Sequence, residues 1–294
     1  MASGETYTTN LTDSLNSLVA SARAQREWKG VMTNLVDKQT LDPGTGITWN
    51  EVSYARLTAS SASETDRFEN PQQFSDSNFP LTPSLKVVHT VITNRVAERI
   101  SKIGFAKMGT LAQNAIQRLK DQDLLLVFDG ASVSQPGAGA TLTSGVVSAM
   151  AAQVAGNTTE PWDGPIYGVF HGFQIHDFYS ELTSGVGTYP VPDGLTKDTF
   201  TNGFEGRIGG AEVYNDGNLT IDSSSDAKGG VFAGGKGGAI VLVQGRSPWT
   251  TTRDEPSLGG GGKSVWLWDE YATGERSAGN WLKEVYSDAT APTS

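Results

Sequence analysis

The chain has 294 residues and no cysteine, which excludes disulfide bonds, thiolate nucleophiles and zinc sites built from thiolates. Its formal net charge of −10 at pH 7 argues against a dedicated nucleic-acid binder, because such proteins concentrate Lys and Arg to displace phosphate counterions. It has neither a basic segment followed by an apolar run at its start nor an apolar run of about 18 residues elsewhere, so we expect synthesis in the cytoplasm and no membrane partner.

The first predicted element is a short amphipathic helix near the N-terminus. Leu11, Leu15 and Leu18 share one helical stripe with Ala22, and polar residues lie off that stripe. Beyond Ala22 the stripe fades into basic residues around Trp28. The pattern indicates an N-terminal arm with one short helix, which could dock on a partner or on the body of its own chain.

Residues 41 to 82 predict an extended arm with two limbs. The first limb places apolar residues at close to every second position, the period of a strand with one apolar face. These residues are Ile47, Trp49, Val52, Tyr54 and Leu57. The return limb, residues 67 to 81, sets aromatic side chains among polar ones, and two prolines limit its regular pairing. Its aromatic residues are Phe68, Phe74 and Phe79, and its prolines are Pro71 and Pro80.

The extended arm has no means of burying these side chains by itself. A stretch of small and polar residues, 58 to 66, separates the limbs and suits a flexible tip. An isolated hairpin of this kind is marginally stable in water, so its aromatic residues need a neighbour. That neighbour is another copy of the chain or, in the plainer alternative, the arm's own domain.

A helix-rich centre follows the arm. Residues 85 to 92 predict a strand, and the two residues after it can cap a helix over residues 95 to 103. Gly104 is expected to interrupt the helical segment. From residue 105 the apolar spacing predicts a long helix that ends near Leu125.

The rest of the chain mixes helices with strands and ends mostly in strands. After a loop over residues 134–140, we expect helices at residues 144–154, 174–182 and 195–202, and strands at residues 166–170, 207–214, 230–233, 239–243, 265–270 and 281–286. A turn over residues 272–280 separates the last two strands. This order predicts an α+β fold rather than alternating βαβ units.

Two glycine-rich segments imitate phosphate-binding loops. Residues 230 to 236 satisfy the G-x-x-x-x-G-K pattern, but Gly237 stands where a Ser or Thr should hold magnesium, and a strand-like segment follows instead of a helix N-terminus. In residues 257 to 264, Ser257 occupies the first glycine position and a strand-like segment again follows. We therefore expect no nucleotide site and interpret the second segment as a flexible loop.

The other candidates for chemistry are weak. His171 and His176 lie five residues apart, on neither one helix face nor one strand face, and His89 is remote in sequence, so we expect ordinary core or surface histidines and no metal or cofactor. No nucleophile motif of the G-x-S-x-G type occurs. We therefore expect a protein that is not an enzyme.

A soluble protein that binds or cleaves glycans is the main alternative function. Asp163, beside Trp162 and Glu160, could form a carbohydrate subsite with a carboxylate pair. Seven tryptophans and a glycine-rich β region at the end of the chain also favour this interpretation. Carboxylates near tryptophan are common in loops, however.

Taken in order, these elements resemble the major capsid proteins of tailed double-stranded-DNA bacteriophages, with the Hong Kong 97-type fold. The resemblance covers nearly the whole chain. It runs through LKVVHTVITNRVAERI and AKMGTLAQNAIQRLKDQDLLLVFDG, then HGFQIHDFYSEL and GGKGGAIVLVQG, to VWLWDEYATGERSAGNWLKEVYSDATAP. Its most specific part is GFEGRIGGAEVYNDGNL.

The resemblance implies five regions in an α+β subunit. They are an N-terminal arm (residues 1–38), an extended β-hairpin loop (39–84), a peripheral domain with a long spine helix (85–130), an axial domain (131–245) and a return to the peripheral domain (246–294). The implied function is structural. Hexamers and pentamers of one chain would tile an icosahedral shell around packaged double-stranded DNA, assembled in the cytoplasm of the host bacterium and found in the virion.

The resemblance also implies contact residues and partners. The extended loop would lie across an adjacent subunit, anchored by aromatic side chains because these dominate interface energetics. The implied contacts are Trp49, Tyr54, Leu57, Phe68, Phe74 and Phe79 in the loop and Leu11, Leu15, Leu18 and Trp28 in the N-terminal arm. Besides other copies, the expected partners are a separate scaffolding protein and a portal, with a decoration protein left open and DNA enclosed without sequence-specific binding.

Two features differ from some members of the family. Some carry a long N-terminal scaffolding segment that is cleaved off; here the arm begins almost at Met1, which favours a separate scaffolding protein over a chain already lacking that segment. Others form an isopeptide bond between a lysine of the extended loop and an asparagine of a neighbour, but residues 39 to 85 contain no lysine. We expect no such crosslink.

Overall fold

The described residues form two large β-sheets with helices packed on them and a separate two-stranded sheet, in agreement with the predicted α+β class. The computed structural model describes residues 27–67, 71–99, 102–184, 206–277 and 279–293. In these ranges no helix is both long and apolar enough to cross a membrane. The predicted helices near residues 11–22 and at 195–202 lie outside them.

The first sheet combines strands from both halves of the chain. Its order is β1 (Asp37–Thr40), β10 (Ile240–Glu255), β11 (Gly262–Glu275) and β4 (Ser84–Thr93). β1 runs parallel to β10, and the other pairs are antiparallel. After β4 come a short helix, α2 (Asn94–Arg99), and the long helix α3 (Lys102–Leu125). Thr93 caps α2, since its Oγ1 accepts the Val96 N–H at 3.4 Å.

The long helix α3 packs on one face of the first sheet. Lys120 of α3 forms an ion pair of 2.7 Å with Asp269 of β11, and both side chains are buried. Asp123 of α3 accepts a hydrogen bond of 2.8 Å from the hydroxyl of Tyr271, also on β11. Burial, together with this carboxylate, raises the pKa of Tyr271 above its ordinary range. The tyrosine therefore stays neutral, and its hydrogen bond joins β11 to α3.

The second sheet has six strands. Their order is β5 (Ser134–Pro136), β12 (Leu282–Asp288), β9 (Asp226–Ala233), β6 (Ile166–Phe170), β8 (Ala211–Asn215) and β7 (Arg207–Ile208). Helix α4 (Ser144–Ala155), which confirms the helix expected at residues 144–154, packs on it through a stripe of buried apolar residues. Helix α5 (Gly172–Ser184) contributes Phe178, which meets Phe170 of β6 edge to face at 5.8 Å.

One hydrophobic core joins the two sheets. Phe128 lies in the 3₁₀ helix Leu126–Gly130 that follows α3, and its ring contacts Phe232 of β9 at 5.6 Å. The core also receives Met32 from the short helix α1 (Met32–Leu35) at the start of the described chain. A third, two-stranded sheet, β2 (Trp49–Tyr54) with β3 (Asp76–Leu81), forms the extended arm.

Most predicted elements are confirmed, and the differences have physical reasons. Gly104 lies inside α3, because one glycine in a helix costs only about 1 kcal/mol and packing on the first sheet offsets it. The expected loop at residues 134–136 is β5, which pairs with β12. Gly209 and Gly210, with φ of +56° and +96°, divide the predicted strand 207–214 into β7 and β8. The expected turn from residue 272 is strand up to Glu275, which pairs with β10.

The domain limits taken from the resemblance stay a prediction. Residues 246–294 are expected to return to the peripheral domain, and β11 does lie in the first sheet with β4. β12, however, lies in the second sheet between β5 and β9. The final segment is therefore divided between the two sheets.

Candidate functional site

The extended arm carries the largest group of exposed apolar side chains among the described residues. They are Ile47, Val52, Tyr54, Leu57 and Phe74. The arm is a regular antiparallel hairpin, with Trp49 opposite Leu81 at its base and Tyr54 opposite Asp76 at its outer end. Pro80 is tolerated because β3 has no further strand on its other side.

The prediction of a single apolar face on the first limb is wrong. Successive side chains of a strand point to opposite faces, so odd and even positions separate. Trp49 and Glu51 lie on one face of β2, and Val52 and Tyr54 lie on the other. The apolar spacing from Trp49 to Val52 is three residues, which cannot keep both on one side of an extended strand.

The Trp49 face of the hairpin rests on the body of its own subunit. Trp49 and Phe79 meet edge to face with ring centroids 6.3 Å apart, and both are half-buried. Leu81 and Phe79 lie close over Gly274 of β11: a Cβ at that position would sit 2.5 Å and 3.1 Å from their side chains. Gly274 therefore makes room for the base of the hairpin.

Arg276 fixes the base of the hairpin electrostatically. Its guanidinium donates to Glu51 of β2 at 2.7 Å, to Asp37 of β1 at 2.9 Å and to the carbonyl of Gly238 at 2.7 Å. Burial alone would raise the pKa of Asp37, but hydrogen bonds from Arg276 and Gln39 hold it below its ordinary value. One arginine thus ties the hairpin, β1 and the loop before β10 together.

The opposite face and the tip of the hairpin are exposed. The rings of Tyr54 and Phe74 stack at 5.0 Å with an interplanar angle of 23°, yet these residues remain 64% and 61% exposed. Val52, two residues before Tyr54 on the same face of β2, extends this surface at 48% exposure, and Leu57, beyond the end of β2, is 58% exposed. We call Val52, Tyr54 and Phe74 the hairpin patch.

The other predicted contact residues have different positions. Phe68, Leu11, Leu15 and Leu18 lie outside the described ranges. Trp28 is 57% exposed, but its ring also lies against Gly217 of its own subunit. Of the six loop residues named from the sequence, the structure brings Tyr54 and Phe74 together in the patch, leaves Leu57 exposed beyond the end of β2 and turns Trp49 and Phe79 inward.

A second exposed apolar surface escaped the sequence-based prediction. On the face of the first sheet away from α3, Leu85 and Val87 of β4 are 59% and 47% exposed. Beside them His89 stacks on Trp266 with centroids 4.7 Å apart, and Trp249 stacks on Trp268 at 6.2 Å. The alternating pattern of residues 85 to 92 indicates a strand with an exposed apolar face. Only the register of β4 with β11, and of β11 with β10, brings these side chains together into one surface.

The residues considered as phosphate, metal or carbohydrate sites belong to ordinary secondary structure and packing contacts. Gly230 lies inside β9, and β10 follows Lys236, so no helix N-terminus is present there to bind phosphate. Within the described residues, no group of three His, Cys, Asp or Glu side chains could hold a metal ion. Trp162 packs on Trp281 at 5.1 Å and donates to the Pro165 carbonyl at 3.0 Å. The tryptophan of the suggested carbohydrate subsite therefore packs against other residues of its own chain.

Comparisons with known proteins give a clear result for the fold. No model of a protein family matches the chain, and no curated protein matches its sequence. Solved structures match over nearly the full length. The capsid of cyanophage P-SCSP1u has a TM-score of 0.71 and 10% identity, with 93% of each chain covered. The head of Helicobacter pylori bacteriophage KHP40 has a TM-score of 0.70 and 11% identity, with 96% of this chain and 98% of that chain covered.

A third match extends the comparison beyond phages. The encapsulin complex of Synechococcus elongatus PCC 7942, described as holo-SrpI, has a TM-score of 0.58 and 13% identity, with 93% of this chain and 95% of that chain covered. At such identities the comparison speaks to the fold alone. The chain has the α+β fold of phage major capsid proteins, and the predicted Hong Kong 97-type fold is confirmed.

Proposed function

We propose that this chain is a major capsid protein whose copies assemble as hexamers and pentamers into an icosahedral shell around packaged double-stranded DNA. The observation that carries the proposal is the hairpin patch, an exposed aromatic surface on an arm whose base is fixed to the subunit by Arg276. Full-length similarity to phage capsid chains supports it. The function is structural, and we expect no catalytic site.

The hairpin patch is the proposed contact with a neighbouring copy. No side chain among the described residues of the same subunit covers its side chains, so a neighbour gains the burial that an isolated hairpin lacks. Trp49 and Phe79 instead pack at the base of the hairpin on their own subunit, and Phe68, predicted from the sequence to lie in the return limb, is proposed as a further contact. In the N-terminal arm, Leu11, Leu15, Leu18 and Trp28 are proposed as contacts of the same kind.

Other partners follow from the proposed function. A scaffolding protein and a portal are expected during assembly in the host cytoplasm, and a decoration protein can be added in the virion. The acidic chain fits enclosure of DNA without sequence-specific binding. With no lysine in residues 39–85, we propose that loop contacts are non-covalent, so boiled shells should run as single subunits on a denaturing gel.

Electron microscopy tests the proposal directly. The purified chain is examined alone and after co-expression with a candidate scaffolding protein from the same genome, and intact particles are treated with nuclease to test whether they enclose nucleic acid. Closed shells of uniform size are expected. A chain that remains monomeric under both conditions would contradict the proposal. Binding on a glycan array or release of reducing sugar would favour the glycan alternative, which no observation in the structure supports.

A further inference from the structure

The described chain begins with a segment that is clamped between α3 and the loop after β8. Residues 27 to 36 lie here, and their buried side chains are Met32, Leu35 and Val36. Gly30 passes so close to Asp121 of α3 that a Cβ at this position would collide with its carboxylate. On the other side of the segment, a Cβ on Gly217 would collide with the ring of Trp28. The close approach on both sides places the segment against two acidic residues.

Those acidic residues, Asp121 and Asp216, form a fully buried pair that holds the segment by its backbone. Asp216 Oδ2 accepts the N–H of Val31 at 3.1 Å, and Asp121 Oδ1 accepts the N–H of Met32 at 3.1 Å. Asn218 fills the two remaining oxygens: its Nδ2 donates to Asp121 Oδ2 and its N–H donates to Asp216 Oδ1, each at 2.9 Å. All four carboxyl oxygens therefore have a donor.

No cation neutralises this pair in the part of the chain that the structure describes. On α3, Arg118 pairs with Glu27 at 3.3 Å and Lys120 pairs with Asp269. Lys29 of the clamped segment is exposed. From the start of α5, His171 faces Asp216, whose charge favours the protonated imidazole, but burial is the larger effect and lowers the pKa of His171. The pair is thus two carboxyl groups without a fixed counterion.

Two such groups cannot both be ionised without repulsion. Asp121 and Asp216 bind the adjacent Val31 and Met32 N–H groups and share Asn218 as a partner, so their carboxyl groups lie side by side, and one proton shared between them removes the repulsion. Burial and then the adjacent Asp216 carboxyl raise the pKa of Asp121 to about 7. The shared proton is accordingly present in acid and is lost as the pH rises past neutrality.

We propose that Asp121 and Asp216 form a proton-dependent latch: with one shared proton the pair holds residues 27–36 on α3, and loss of that proton releases the segment. The two carboxylates then repel each other, and water must enter to solvate them. Because Val31 and Met32 are bound at this point only through carboxyl oxygens, their N–H groups become accessible to water when it enters between the two carboxylates. The latch is a property of the single subunit and does not depend on shell formation.

Amide hydrogen exchange of the full chain tests the latch. After correction for the intrinsic exchange rate, the amides of residues 31–36 should lose at least about tenfold of their protection between about pH 5.5 and about pH 8.5, while those of β9 should not. Equal protection of residues 31–36 at both pH values would overturn the proposal. The readout concerns one segment of the monomer, so it can fail while the shell proposal stands.

Asp121→Asn is the informative variant. The amide that replaces the carboxyl group can still accept from the Met32 N–H and donate to Asp216, and Asn218 can rotate its own amide to accept from the new NH₂ group. The variant is therefore permanently in the protonated arrangement and should keep residues 31–36 protected at both pH values. Asp254→Asn, the same change at an exposed position, should leave the wild-type pH dependence intact. An Asp121→Asn protein with wild-type pH dependence would refute the latch.

Infrared spectroscopy of the wild-type protein supplies a readout that needs no variant. A buried protonated carboxyl group gives its own carbonyl band, and that band should vanish as the pH rises through about 7. A spectrum without this band in mild acid, under conditions where exposed carboxyl groups are ionised, would also overturn the proposal.

Discussion

The most direct consequence of the hairpin patch concerns the double substitution Tyr54→Ala with Phe74→Ala. A whole aromatic side chain has about 200 Å² of surface, so the exposed 64% and 61% amount to about 250 Å² for the pair. At about 25 cal/mol per Å², covering this surface contributes up to about 6 kcal/mol to each contact between copies. Its loss should weaken that contact by up to about four powers of ten.

The same substitution should hardly affect the isolated subunit. The two rings bury little in their own chain, so only their stacking is lost, which is about 1 kcal/mol in the free energy of unfolding. Sedimentation velocity and electron microscopy measure assembly, and urea unfolding measures stability. The control is Ser53→Ala with Ser77→Ala, which removes a hydroxyl pair from the other face of the same strands and should assemble normally.

Two results would refute this reasoning. If Tyr54→Ala with Phe74→Ala forms shells at the wild-type protein concentration, the patch is not the contact between copies. If the variant instead unfolds at much lower urea than the wild-type protein, the two rings belong to the subunit's own core.

Three further predictions concern the subunit itself. Arg276→Ala leaves buried Asp37 without its cation and should lower the free energy of unfolding by about 3–5 kcal/mol in urea titrations; an unchanged urea midpoint would show that water replaces the arginine. Raising the pH from about 5 to about 8 should lower the free energy of unfolding by at most about 3 kcal/mol, because folded Asp121, with a pKa of about 7, keeps over about two pH units a proton that the unfolded chain has already released at its ordinary 3.8, and Asp121→Asn should remove that slope. Gly274→Val should push Leu81 aside and cost about 1–3 kcal/mol, whereas a stability equal to wild type would show that the hairpin base is not in close contact.

The sequence predicted elements well where local signals are strong. Apolar spacing predicted α3, and a helical, Ala-rich composition predicted α4, which buries one regular stripe of side chains. Apolar spacing did not reveal that β2 has apolar side chains on both faces. Its apolar positions change from odd to even residue numbers between Trp49 and Val52, and approximate alternation hides this change.

The contacts that hold the functional surface could not be read from the sequence. Arg276 and Glu51 are 225 residues apart, and Asp121 and Asn218 are 97 apart. Both contacts exist only after the sheets have brought distant segments together. The aromatic content of the arm was enough to predict an exposed apolar patch. Which of its side chains face the subunit and which face outward follows only from the pairing register of β2 with β3.

The position of β12 has a consequence for how the protein is made. β12 is the last strand of the described chain, yet it lies between β5 and β9, which are synthesised long before it. The second sheet therefore stays incomplete on the ribosome until residues 282–288 emerge, although the hairpin emerges long before them. A chain truncated before β12 lacks an interior strand of the second sheet and should be cleared by proteases before it can join other copies.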